Sequence, residues 1–153
     1  MSHWVLTRLL LSLLVVLVTA CSANKSAHSP PEFAGGVASE RVVASLGIKI
    51  RGLVLSSADY MLYFRYRVVD PAKAAPLMDR KIKPYLVVEA TGNRLDIPNT
   101  PKLGLLRQTP RSSSVAKERD YFIMFANPGR RLKSGDKVSL MVGDTKIENL
   151  PIE

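Results

Sequence analysis

Side chains able to do chemistry are scarce in this chain of 153 residues, which has one cysteine, Cys21, and two histidines, His3 and His28. From residue 29 onward there is neither a thiol nor an imidazole. A zinc site needs clustered Cys, His or carboxylate ligands, so that long stretch is a poor zinc binder. His28 reads as a lone solvated side chain. Ser112-Ser113-Ser114 offers three hydroxyls, but a serine nucleophile needs a base, and the sequence supplies neither a nearby histidine nor the glycines of a nucleophile elbow. Glu89, Asp96 and Asp144 occur singly and form no recognisable pair for general acid–base work. Thioethers suit copper(I), yet Met61, Met78, Met124 and Met141 make no Met-x-Met or His-x-Met pair and read as packing residues. No glycine-rich phosphate loop opens a helix. The expectation is no catalytic residue, no metal and no cofactor, and any enzyme here would have to act through Arg, Lys, Tyr and carboxylates alone.

Cys21 stands apart because of what precedes it. Arg8 leads into the apolar run Leu9 to Val18, interrupted only by Ser12, and then into Thr19-Ala20-Cys21. A bilayer span needs about 20 apolar residues of helix, whereas this run has the length of a secretion-signal core. A free or buried thiol after such a core would sit open to oxidation without purpose. The tetrapeptide Val18-Thr19-Ala20-Cys21 resembles the lipobox of bacterial lipoproteins: an aliphatic residue, a small one, Gly or Ala, then Cys. That resemblance implies cleavage after residue 20 and acylation of Cys21, with each buried methylene adding roughly 0.8 kcal/mol of membrane affinity. Ser22 stands where lipoproteins retained at the inner membrane typically carry Asp, so the same resemblance favours the outer membrane, facing the periplasm.

The organisation implied is a leader (residues 1–20), a tether (21–41) and one domain (42–153). The tether is rich in Ser, Ala, Pro and Gly, as in Ser29-Pro30-Pro31 and Gly35-Gly36. Some twenty flexible residues span on the order of 25 Å, enough to hold a domain off a membrane. With its only cysteine spent on the anchor, the domain has no disulfide to form and must fold on packing alone.

Beyond residue 41 the pattern is strand and turn. Leu46, Ile48 and Ile50 alternate with Gly47, Lys49 and Arg51 within a first run, Val42 to Leu55; past Gly52 the apolar positions shift to Leu53 and Leu55, which predicts a bulge at Gly52. Tyr60 to Val69 alternates most clearly, with Tyr60, Leu62, Phe64, Tyr66 and Val68 expected in the core and Arg65 and Arg67 on a charged outer face. Asp70-Pro71 caps a short helical turn over Ala72 to Ala75 that Pro76 limits. Tyr85 to Ala90 and Arg94 to Ile97 flank Gly92-Asn93 as a hairpin. Leu103 to Leu106 is a weak strand, and Arg107 to Asp120 reads as a long loop. Tyr121 to Ala126, then Val138, Leu140 and Val142, then Thr145 to Ile152 complete an all-β, antiparallel β-sandwich.

In layout, Ile48-Lys49-Ile50, Leu62-Tyr63-Phe64-Arg65-Tyr66 and the closing Ser134-Gly135-Asp136-Lys137-Val138 with Gly143-Asp144 resemble the immunoglobulin-like sandwiches of small bacterial lipoproteins. Both cysteines and the strand tryptophan of antibody-type domains are absent. The resemblance implies architecture and brings no site residues with it.

What remains is charge. Arg8 is the only charged residue among the first twenty, so nearly all of the formal +9 stays with the mature chain. It gathers at Arg80, Lys81 and Lys83, at Arg107, Arg111, Lys117 and Arg119, and at Arg130, Arg131 and Lys133, each diluted by Asp79, Glu118, Asp120 or Asp136. If these loops met at one end of the sandwich they would attract anions. Nucleic acid is not expected outside the cytoplasm. The first expectation is therefore a non-enzymatic envelope lipoprotein, membrane-held through Cys21, acting as an interaction or accessory module for an envelope protein. The alternative is a module binding anionic envelope material (lipopolysaccharide, lipid headgroups or a wall polymer) through the basic loops.

Overall fold

The computed structural model describes residues 41–110 and 117–153, so Cys21, the rest of the tether up to residue 40, Arg111 and Ser112-Ser113-Ser114 lie outside the described residues, while Arg41 belongs to a strand. The described residues belong to one compact unit, Ala34–Glu153. It is all-β, with antiparallel sheets packed face to face. One sheet holds β1 (Arg41–Val43), β2 (Ile48–Ser56), β3 (Met61–Val68) and β8 (Asp120–Ala126), in that order. The other holds β10 (Thr145–Pro151), β9 (Lys137–Val142), β4 (Tyr85–Val88) and β5 (Arg94–Asp96). A two-stranded ribbon, β6 (Asn99–Thr100) with β7 (Gly104–Leu105), lies between β5 and β8 in the chain. Among the described residues no helix is long and apolar enough to cross a membrane.

The two-residue period of apolar side chains builds the core. Leu62, Phe64, Tyr66 and Val68 of β3 are fully buried, in one cluster with Leu86 of β4 and Val138, Leu140 and Val142 of β9. Burying each large side chain of this kind contributes about 1.5–3 kcal/mol. The bulge is present: Ile50 pairs with Tyr66 and Gly52 with Arg65, leaving Arg51 as the extra residue. The inserted residue reverses the faces, so Leu53 enters the core although it is an odd number of positions from Ile50.

Four local expectations need correction. Val42 to Leu55 is not one strand but a hairpin, because Ala44–Gly47 turns the chain and β1 folds back on β2. Gly47 makes this possible: its φ is +54°, and its carbonyl accepts from Val69 N and Asp70 N, both at 2.9 Å. Tyr60 precedes β3 and is 54% exposed rather than buried. Asp70 Oδ1 does accept from Ala72 N and Lys73 N, but the helix proper, α1, is Ala75–Met78; Pro76 sits in its first turn, where a missing N–H costs nothing. Lastly, the long loop begins later than Arg107. Leu106–Gln108 runs beside β8, with Met124 N donating to Leu106 O and Gln108 N to Phe122 O, both at 2.9 Å, which covers part of an edge that would otherwise be open.

The register assigns each loop to an end. Met61 pairs with Ala126 and Val88 with Val138, so the β2–β3 turn, the β4–β5 turn and the β8–β9 connection share one end. Arg67 pairs with Asp120 and Tyr85 with Met141, which puts the β1–β2 turn, α1 with the segment that follows it, and the β9–β10 turn at the other.

Candidate functional site

That register separates the two basic triplets. Arg80, Lys81 and Lys83 precede Tyr85 at the α1 end, whereas Arg130, Arg131 and Lys133 lie in the β8–β9 connection at the opposite end. All six are exposed, but the condition of a single convergent patch is not met. Arg107 is not a free surface cation either. Its guanidinium donates to Ile82 O at 2.9 Å and Asp79 O at 2.8 Å, pinning the chain between α1 and β4 to the sheet, and burial pulls its pKa down. On the outer face, Arg67 holds Asp120 through two bonds, Nε–Oδ1 at 2.6 Å and Nη2–Oδ2 at 3.0 Å. Hydrogen bonding from Arg67 keeps the Asp120 carboxyl below the usual range. That pair is the charged outer face of a sheet.

The methionines do not gather: Met61 and Met124 lie on the outer face of one sheet, Met141 on β9 of the other, and Met78 is buried in α1. Among the described residues no three Cys, His, Asp or Glu side chains come together as metal ligands.

A cleft of about 710 Å³ opens where the β4–β5 turn faces the β8–β9 connection. Val88, Leu95 and Leu132 form its apolar floor, Ala90 and Pro128 extend it, and Arg94, Arg131 and Lys137 line it with charge beside Glu89 and Asp136. The walls are short-range structures. On one side Gly92 N and Thr91 N both reach back to Val88 O, at 2.7 and 3.3 Å, closing the β4–β5 turn. Opposite, Pro128–Arg130 forms one 3-10 turn in which Gly129 has φ 66°.

Asn127 holds that second wall in place, although in the sequence it reads only as a residue that ends a strand. It is 1% exposed. Its amide Nδ2 donates to Asp59 O at 2.8 Å and to Leu132 O at 3.1 Å, while Oδ1 accepts from Leu132 N at 3.0 Å. Its backbone N–H donates to Tyr60 O at 2.8 Å. One side chain thus ties the β2–β3 turn to the cleft wall. The available signal was a polar amide directly after the apolar strand Tyr121–Ala126, where a buried Asn must find partners.

The carboxylates of the cleft are committed. Glu89 Oε1 accepts from Asn149 N at 2.7 Å and Ser139 Oγ at 2.9 Å, which holds its pKa below the usual carboxylate range. Asp136 Oδ2 accepts from Lys133 N at 2.9 Å. Arg94 pairs with Asp96 at 2.8 Å and lies over the Tyr85 ring, 3.8 Å from its centroid. Glu89 is held ionised and is not poised as a proton donor, and the hydroxyl that meets it, on Ser139, is buried. The arrangement suits binding. Compared with protein-family models, curated proteins and solved structures, the chain matches no family, no curated protein and no solved structure.

Proposed function

We propose that this chain is a lipid-anchored protein of the cell envelope, held by an acylated Cys21 and facing the periplasm, whose β-sandwich is a non-enzymatic interaction module. The anchor reading is supported by Val18-Thr19-Ala20-Cys21 behind a short apolar run, and by the tether-like composition that follows. The observation that carries the module reading is the state of the cleft's polar groups: Asn127, Glu89 and Asp136 spend their hydrogen bonds on the protein frame. A catalytic acid or base needs a pKa poised near the working pH and an open path to substrate. Glu89 is shifted the other way.

The test has two parts, both in the cell that makes the protein. Palmitate labelling should follow Cys21 and vanish in Cys21→Ser; an unlabelled wild-type protein or an intact leader by mass spectrometry refutes the anchor. A photoreactive residue at Thr91, on the cleft rim, should give a discrete adduct with an envelope component, while one at Asp144, at the opposite end, should not. Equal products at both positions, or none at either, refute the module reading.

A further inference from the structure

We propose that the α1 end of the sandwich docks on an anionic bilayer surface through basic side chains brought together there from two separate stretches of the chain. The choice of a membrane as occupant rests on the anchor reading above; the basic surface itself is read from the fold.

Arg107 makes the connection. In the sequence, Arg80, Lys81 and Lys83 stand far from Lys117 and Arg119. The Arg107 guanidinium, bonded to Asp79 O and Ile82 O, fixes the first stretch over the sheet, close enough to Arg80 to feel its charge. One residue on, Gln108 N donates to Phe122 O of β8. The second stretch leads into that same strand: Val68 N donates to Arg119 O at 3.2 Å and Glu118 N to Val68 O at 2.9 Å, where β3 ends. The Arg119 guanidinium lies 5.8 Å from the centroid of the Tyr121 ring, which stacks on Tyr66 at 5.9 Å, and the Tyr66 hydroxyl feels the charge of Arg107.

Charge at this end does not cancel. Lys73 is balanced by Asp70 and Arg67 by Asp120. That leaves Arg80, Lys81, Lys83, Arg107, Lys117 and Arg119 against the carboxylates of Asp79, Glu118 and Asp144, an excess of three positive charges. In and beside the turns of the cleft end, where Arg94 is offset by Asp96, Arg130, Arg131, Lys133 and Lys137 meet Asp59, Glu89 and Asp136, which is close to balance. Arg80, Lys81, Lys83, Lys117 and Arg119 are all exposed and form no ion pair among the described residues.

These five side chains line no part of the cleft. They are spread over a surface, an arrangement that suits an extended field of negative charge rather than one small anion. The tether expected from the composition spans on the order of 25 Å, so the bilayer holding Cys21 would stand within reach at high effective concentration. Docked in this way, the domain turns its cleft end away from the membrane.

The chain from residue 21 carrying Cys21→Ser removes the acyl anchor and keeps the whole compact unit Ala34–Glu153. It is sedimented with vesicles of phosphatidylcholine, with or without phosphatidylglycerol, at about 0.1 M salt, where the Debye length is ~10 Å. Wild type should partition onto the anionic vesicles alone and be released by added salt. Each Lys or Arg near such a surface is worth about fivefold, so Arg80→Gln, Lys81→Gln and Lys83→Gln together should lower partitioning about a hundredfold. Arg130→Gln, Arg131→Gln and Lys133→Gln remove the same charge from the other end and should lower it by no more than about threefold. All six residues are exposed, so circular dichroism should report an unchanged fold in both variants.

Orientation is read separately. Trp4, the only tryptophan of the sequence, precedes residue 21, so Ala75→Trp in α1 and Thr91→Trp at the cleft end each give a single reporter. A spin label on the lipid headgroup should quench the first and spare the second. Absence of binding to anionic vesicles, equal losses from the two triple variants, or quenching at position 91 rather than 75 overturns the proposal. Binding of soluble polyglutamate without binding of vesicles also overturns it, and assigns this end to an acidic protein instead. None of these outcomes bears on Cys21 labelling or on the Thr91 adduct, so the two readings fail separately.

Discussion

Asn127 is the residue whose removal should be felt most for its size. Its amide satisfies Leu132 N and Leu132 O inside the protein, and Asp59 O at a half-buried position. Asn127→Ala leaves the two Leu132 groups buried without partners. Each orphaned buried group costs about 1–3 kcal/mol, so the loss should be about 3 kcal/mol, with Asp59 O recovering a water. For a domain near a hundred residues about 1 kcal/mol moves Tm by roughly 4 °C, which predicts a fall of about 12 °C.

Asn127→Asp sharpens the argument because it keeps shape and changes only hydrogen bonding. An ionised carboxylate there would face two carbonyl oxygens, so burial and repulsion should raise its folded pKa above the unfolded value of about 3.9. A raised folded pKa favours the protonated form. The deficit against wild type should therefore be largest at neutral pH and should shrink as pH falls towards and below the folded pKa, where the acid regains a donor. Urea unfolding followed by far-UV circular dichroism at several pH values, on the unanchored chain, measures both. An Asn127→Ala loss under about 1 kcal/mol, or an Asn127→Asp deficit that does not change with pH, would contradict this account of the wall.

Three further outcomes are expected. Tyr66 is fully buried, and its hydroxyl, with its pKa pushed up by that burial, has no partner among the described residues; Tyr66→Phe should leave stability unchanged or raise it by about 1 kcal/mol, and a loss larger than that in urea melts would mean the hydroxyl is satisfied. A Cβ on Gly47 would lie 2.6 Å from Asp70 O with φ at +54°, so Gly47→Ala should cost about 2–4 kcal/mol from left-handed strain plus the clash, and a loss below about 1 kcal/mol would contradict the turn described. If the proposed cleavage before Cys21 occurs, the wild-type protein from its own cell should show no tryptophan emission, since Trp4 is the only tryptophan and precedes Cys21; emission from the isolated protein would contradict that cleavage.

Much of this architecture is local and was therefore legible in the chain. Side chains of a strand alternate faces, so Leu62, Phe64, Tyr66 and Val68 announce a buried face whatever they meet. The slip from Ile50 to Leu53 announces a bulge by the same rule. Errors fell where a contact distant in sequence decides: Gly47 reads as one more strand position until Val69 N and Asp70 N are seen on its carbonyl. Arg107 likewise reads as loop until the carbonyls of Asp79 and Ile82 close on it.

The strand pattern, the reversal at the bulge and the scarcity of thiols and imidazoles were all open to a reader of the chain, because each depends on residue type and near spacing. Three other features had to wait for the folded molecule: the two basic triplets lie at opposite ends, Asn127 is buried, and Val88, Leu95, Arg131, Leu132 and Lys137 line one cleft. These depend on which strands pair and in what register. Pairing brings together residues tens of positions apart, and a change of one residue in register would have put different side chains on every face.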